Sequence, residues 1–233
     1  MKSIKGFILY FDILGYKELL RHNENKDHTR TKELLKQFTK IYSTLNFSLG
    51  FGADFNKLKL FKRFFSDNFL FVYEADNDDA KSLAIIQSIA SQVQTQFLLV
   101  GMLTRGSITY GEIFYNDEIV YGCDLIKAVE FENHPEPSII VDKALENVLI
   151  AKGYEYSEHN SMFFVQPNSQ LDCDEIIKGI KKYLLSLNKT NPTEKTINKI
   201  KWVIEQLNKH FSALGKEYYL NKNIEYTIGF RRN

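Results

Sequence analysis

Near its start the chain runs Gly6-Phe7-Ile8-Leu9-Tyr10-Phe11, six residues without a charge, and Asp12 ends the run. So short and dense an apolar stretch reads as a buried strand. Asp12-Ile13-Leu14-Gly15 interrupts it, and the residues from Tyr16 onward are amphipathic and read as a helix. An acidic residue at the end of a buried strand is costly unless it has a partner or a cation, so this junction constrains both fold and chemistry.

The rest of the chain supplies the layers such a strand needs. Thr31 to about Leu45 has helical spacing, and Leu58–Phe65 with Asn68–Tyr73 reads as a β-hairpin around Ser66-Asp67. Apolar residues recur with helical period from Lys81 to Leu99. Leu103–Glu112 reads as a strand, and Ile113–Val120 is expected to pair back through the turn signal Asn116-Asp117. A short helix over Asp124–Glu132, ended by Pro135 and Pro137, precedes a strand at Ser138–Val141, and Asp142 is expected to cap a helix to Ile150. Tyr154–Tyr156 and Met162–Val165 read as a late hairpin, Asp174–Leu187 and Thr193–Leu214 as amphipathic helices, and 224–230 as a last strand. This order is α+β and not the alternating pattern of a parallel sheet.

At 233 residues and 44% hydrophobic the chain fits one cored domain, here 1–233, with a core over about 6–167 and a helical elaboration over about 172–216. A net charge of +1 supplies no field toward nucleic acid or an anionic membrane, so neither is expected as a partner. Cys123 and Cys173 lack metal spacing and read as reduced thiols of a soluble, cytoplasmic protein. Asp12 interrupts the first apolar run and no small-residue cleavage site follows, so no signal peptide is expected. The five histidines lack zinc spacing, and neither a P-loop nor a GxSxG elbow is present.

What remains is a pair of acids in awkward places. Asp12 ends an apolar strand, and Asp67 sits at the tip of the apolar hairpin Phe64-Phe65-Ser66-Asp67-Asn68-Phe69-Leu70-Phe71. Each has an ordinary reading by itself, Asp12 as a helix N-cap and Asp67 as a turn residue. Brought together they repel, and a divalent cation relieves the repulsion. Mg²⁺ characteristically binds through one or two carboxylates plus substrate phosphates.

Phe11-Asp12-Ile13-Leu14-Gly15-Tyr16 resembles the F-D-I-x-G-F opening of class III nucleotidyl cyclases, and Ser66-Asp67 resembles the G-D at the tip of their central hairpin. Arg105–Gly111 (RGSITYG) resembles their R-x-G-I-x-x-G strand, and Leu125–Glu132 (LIKAVEFE) falls where they carry V-N-x-A-A-R-L-E. The wording FDILG, FSDN, TRGSITYG and YGCDLIKAVEFE is similar to the pyrimidine cyclases of bacterial Pycsar anti-phage systems. The resemblance covers about residues 6–142.

The resemblance implies a ferredoxin-like core with a mainly antiparallel sheet and helices on one face. It implies conversion of UTP or CTP to the 3′,5′-cyclic monophosphate with release of pyrophosphate, by a homodimer whose product activates a separate effector. Asp12 and Asp67, with Ile13, would hold two Mg²⁺ or Mn²⁺ ions. Gly15, Tyr16, Arg63, Ser66, Arg105 and Lys127 are the candidates to contact nucleotide; Gly15, Arg63, Ser66 and Arg105 each have an ordinary structural alternative. Arg63 lies near where purine cyclases place a base-selecting Lys, and Phe64, Phe65 and Phe69 would narrow a base pocket if they face it. The match also departs from the pattern. Ile126 stands where the ribose-contacting Asn would be, and Glu130 where the transition-state Arg would be. Two other readings share the residues: a cyclase-fold module that binds without turnover, and a palm-like nucleotidyl-transferase.

Overall fold

A computed structural model of the chain describes residues 1–17, 29–48, 60–75, 79–145, 161–162, 175–180 and 193–213. The apolar run is the centre of β1 (Lys2–Ile13). β1 pairs antiparallel on one side with β3 (Asn68–Glu74) and on the other with β4 (Thr104–Tyr115). A strand flanked on both sides has no edge facing water, which is why its sequence is apolar on both faces. Gly6 belongs to this crowding, since a Cβ there would lie 1.9 Å from the Tyr73 carbonyl oxygen.

The described residues form a seven-stranded sheet in the order β2-β3-β1-β4-β6-β7, where β2 is Leu60–Phe65, β6 is Ile139–Val141 and β7 is Ser161–Met162. β5 (Val120–Tyr121) pairs with β4 off this path. Every pairing is antiparallel except β4 with β6. Alternation along β1 divides the core. Phe7, Leu9, Phe11 and Ile13 face α2 (Asp79–Leu99), packing with its Ile86, Ile89, Val93 and Phe97 and, from α1 (Thr29–Ser48), Ile41. Ile4 and Ile8 face the other way, with Leu70, Val72 and Ile113, against Ala128 of α3 (Cys123–Glu132).

Helices therefore cover both faces, where the expected arrangement had them on one. The reason lies at Gly111. With no side chain there, α3 closes onto β4, and a Cβ would lie 2.1 Å from Asp124 Cγ. Glu112 N donates to Asp124 Oδ2 (2.8 Å), and Ser107 Oγ donates to the Ala128 carbonyl (2.6 Å).

The return strand of the β4 hairpin is two residues, not the expected Ile113–Val120. Ile113 continues β4, and Asn116 Oδ1 accepts from the Glu118 and Ile119 amides, closing the turn before pairing resumes. Asp142 does cap a turn, Oδ1 accepting from Ala144 N, but the described part is a 3₁₀ helix, Lys143–Leu145. Met162 pairs with β6 at Ile139. Tyr154–Tyr156 and residues 224–230 lie outside the described residues. At the far end of the sheet, α4 (Glu194–Ala213) and residues 175–180 bury Ile176, Ile180, Ile200, Val203, Ile204 and Leu207 against Leu14, Leu98 and Leu103. Among the described residues, no helix is long and apolar enough to cross a membrane.

Candidate active site

Asp12 lies one residue from the end of β1, on the α3 face, with Asn68 of β3 and Arg105 of β4 as its cross-strand neighbours. Cross-strand partners project from the same face, so the register brings these three side chains together. Arg105 donates from Nε to Asp12 Oδ1 (3.1 Å) and from Nη2 to Oδ2 (3.1 Å), a bidentate pair. Its Nη1 donates to the His134 carbonyl (3.0 Å).

A third carboxylate stands beside this pair. Glu132, the last residue of α3, has its Oε1 2.5 Å from Arg105 Nε. That contact is one of charge. The Nε–H is directed at Asp12, and Glu132 Oε1 is buried without an aligned donor. Burial pushes the Glu132 carboxyl up to about 7, and the Asp12 charge adds to the rise while Arg105 opposes it.

Asp67 occupies the two-residue turn between β2 and β3 with Ser66, whose φ of 57° gives the turn its left-handed corner. Asn68 links it to the rest: its Nδ2 donates to Asp67 Oδ1 (3.4 Å), and its Oδ1 accepts from the Tyr10 hydroxyl (2.6 Å). The Tyr10 hydroxyl is pushed up to about 12, first by burial and then by Glu132, Asp12 and Asp67. It stays protonated and acts as a donor. Three carboxylates thus act on one phenol, with the Arg105 guanidinium opposing them.

The donor chemistry fits a hard divalent cation, since the surplus is of carboxylate oxygens. Arg105 takes one direction at each Asp12 oxygen, and a carboxylate has about four lone-pair sites, so acceptor capacity remains. Among the described residues, no three His, Cys, Asp or Glu side chains form a metal-holding group by themselves. Asp12 and Asp67 would hold such an ion together with ligand phosphates.

The other expected site residues are dispersed. Ile13 is buried with its side chain in the core facing α2, so only its backbone is left to meet a ligand. Gly15 has φ 75°, and a Cβ there would meet nothing within 4 Å, so the turn and not crowding calls for glycine. Tyr16 packs on Phe38 (ring centroids 6.0 Å apart) against that same core. Arg63 donates from Nη2 to the carbonyls of Asn116 (2.9 Å) and Asp117 (3.2 Å), bracing the β4–β5 turn. Lys127 pairs with Asp142 and lies 5.5 Å from the Phe131 ring centroid. Phe64 and Phe69 turn toward the α2 face, packing on one another at 5.0 Å, so they do not narrow a pocket beside Asp12. Phe65, paired with Asn68, is 81% exposed on the Asp12 face.

Sequence reasoning left out Glu132 and Tyr10. Both had a signal. Glu132 follows Ala128 by four, so it is an acid on the inward stripe of α3, and those two are the helix's buried residues. Tyr10 follows Ile8 by two and precedes Asp12 by two, so it shares their face.

No protein-family model matches the chain, and no curated protein matches it in sequence. Among solved structures it is similar to a class III adenylyl cyclase-like ATP-binding protein from Pseudomonas aeruginosa, with a TM-score of 0.51 and 13% identity. That match covers 77% of this chain and 41% of the other, so the chain spans less than half the length of that protein. The catalytic core of a rhodopsin-guanylyl cyclase with converted specificity, in complex with ATPαS, aligns at a TM-score of 0.46 and 14% identity, over 64% of this chain and 82% of that one. The fold is the class III cyclase-like α+β fold, with its mostly antiparallel sheet. At this level of identity the likeness is one of fold.

Proposed function

We propose that the chain is a metal-dependent nucleotidyl cyclase acting on a pyrimidine nucleoside triphosphate, UTP or CTP. In the reaction the ribose 3′-hydroxyl attacks the α-phosphorus, the bond to the bridging oxygen of the β-phosphate breaks, and pyrophosphate leaves. The observation that carries the reading is that, in a class III cyclase-like fold, Asp12 lies across β1 and β3 from Asn68, the residue that follows Asp67 and contacts it, so the two aspartates stand at the same end of the sheet. Two Mg²⁺ or Mn²⁺ ions held by Asp12 and Asp67 would supply neutralising charge and lower the pKa of the attacking hydroxyl. Arg105 and Asn68 orient the two aspartates, and Tyr10 fixes Asn68.

The pyrimidine assignment rests on the wording of FDILG, FSDN and YGCDLIKAVEFE, and with it the role as a signal in anti-phage defence through a separate effector. Arg63 and the Phe64 and Phe69 rings add nothing to it, given where they point. The deciding experiment incubates the protein with each NTP in turn plus Mn²⁺ and looks for cyclic monophosphate by mass spectrometry. Cyclic UMP or cyclic CMP is the expected product, and cyclic AMP or cyclic GMP as the dominant one would refute the pyrimidine assignment. A second reading, nucleotide binding without turnover, is favoured by Ile126 and Glu130. Both are exposed on α3 where the family pattern has a ribose-contacting Asn and a transition-state Arg. The similar Pseudomonas protein is itself described as ATP-binding. Bound nucleotide without product would select this reading.

The enzyme is proposed to act as a homodimer. On α3, Ile126 is 59% and Val129 39% exposed, three residues apart on one face, and Ile119 and Tyr121 are exposed just before the helix. An exposed apolar strip of this kind is covered in many assemblies. Ile126→Glu is expected to shift the protein from dimer to monomer in light scattering at micromolar concentration and to lower activity with it. A monomeric wild-type protein with full activity would contradict the dimer.

A further inference from the structure

Glu132 is a buried acid that the proposed chemistry leaves unused. It closes α3 and is only 6% exposed. Its Oε1 lies against Arg105 Nε but accepts no hydrogen bond, because the Nε–H is aimed at Asp12. A buried carboxylate oxygen with no donor is costly, and here the donor it lacks is already in contact with it. Glu132 forms no metal-holding group with the two aspartates, so its place is beside a cation and not on one.

Arg105 is shared between two acids and serves one of them. Nε and Nη2 donate to Asp12, while Nη1 is anchored separately on the His134 carbonyl. Asp12 Oδ1 and Glu132 Oε1 both meet the same Nε, so a turn of the guanidinium about its anchored edge exchanges one acid for the other. A divalent cation at Asp12 gives reason for that turn. It would leave Arg105, 21% exposed, sharing a carboxylate with two further positive charges at close range.

We propose that Glu132 is a positioning residue that takes over Arg105 when a divalent cation binds Asp12. On the metal-dependent reading above, Asp12 pairs with Arg105 in the metal-free protein, and Arg105 pairs with Glu132 in the loaded one. Without the cation two carboxylates share one guanidinium. With it, each carboxylate has a positive partner of its own, and the orphaned Oε1 gains its donor.

The test is calorimetric titration of the full chain with Mn²⁺ and no nucleotide, with Asp67→Asn marking which binding belongs to the site. Glu132→Gln is expected to weaken Mn²⁺ binding about tenfold or more, the scale of one lost hydrogen bond between charged groups. An acid acting only by its charge, or as a ligand, would weaken binding as much whatever stands at position 105. The exchange requires the guanidinium, so in an Arg105→Gln background Glu132→Gln should change affinity by about twofold or less. Equal losses in the two backgrounds overturn the proposal, as does absence of Mn²⁺ binding to wild type at millimolar concentration. A second measurement needs no change at Arg105. In heteronuclear NMR, Mg²⁺ should move the Arg105 Nε–H resonance of wild type and move it less in Glu132→Gln, and equal movement overturns the exchange. In EDTA, Glu132→Gln should melt no lower than wild type, since it removes a charge that lacks a donor there. A lower melting temperature would mean that Glu132 already holds Arg105 without metal, and would also overturn it. The outcome is separable from the cyclase reading. Mn²⁺ binding that depends on Glu132 through Arg105, without any cyclic product, sinks the cyclase and keeps the exchange. An active cyclase whose Mn²⁺ affinity ignores Glu132 does the reverse.

Discussion

Asp67→Asn is expected to reduce cyclic-nucleotide formation by about a hundredfold or more while leaving the protein folded. Loss of a metal-holding carboxylate removes several kcal/mol of transition-state charge stabilisation, and each 1.4 kcal/mol is about tenfold in rate. The fold should tolerate the change because Asp67 sits in a turn and its carboxylate accepts only the long 3.4 Å contact from Asn68 among the described residues. Substitutions at such positions usually shift stability by about 0.5 kcal/mol or less. Mass-spectrometric product yield and a thermal melt check the two halves separately, and wild-type turnover by Asp67→Asn would remove this residue from the mechanism. Asp12→Asn should be as damaging to activity but less clean, because it also takes one counter-ion from Arg105.

Arg105→Ala is expected to carry the largest stability cost among the site residues, about 3 kcal/mol or more. Arg105 is the group between Asp12 and Glu132, and the three side chains are 21%, 16% and 8% exposed, so water screens them only weakly. Its removal leaves two carboxylates facing each other and the His134 carbonyl without its donor. Arg105→Lys keeps a charge but not the two-pronged geometry, and should recover only part of the loss. Mg²⁺ should restore more stability to Arg105→Ala than to wild type, since a cation bound only by the folded protein stabilises it by mass action. Urea unfolding with and without Mg²⁺ measures both effects. A loss below about 1 kcal/mol would show that the carboxylates do not depend on this guanidinium.

The parts of the fold legible in the sequence are those that follow from local pattern. The uncharged run through Phe11 sits at the centre of the sheet, the Ser66-Asp67 tip is a hairpin turn, and the period over Lys81–Leu99 is a buried helix. These arise because strand and helix periodicities are set by residues a few positions apart. The same pattern placed Asp12 at a strand end and Asp67 at a turn, which made both conspicuous.

Partnership was decided elsewhere. Asp12 and Arg105 are 93 residues apart, and only the antiparallel register of β1 with β4 makes them neighbours. Glu132 joins them because Gly111 lets α3 close onto the sheet, a contact that no spacing within α3 announces. Arg63 and Lys127, both basic and well placed along the chain, are drawn to the β4–β5 turn and to Asp142. The sequence by itself determined the central strand, the hairpin turn, the long helix over Lys81–Leu99 and the places of the two acids along the chain, since each depends on neighbours in sequence. Which charges meet was left to tertiary structure, because a Coulomb interaction depends on distance in space and on burial, and neither is written in local order.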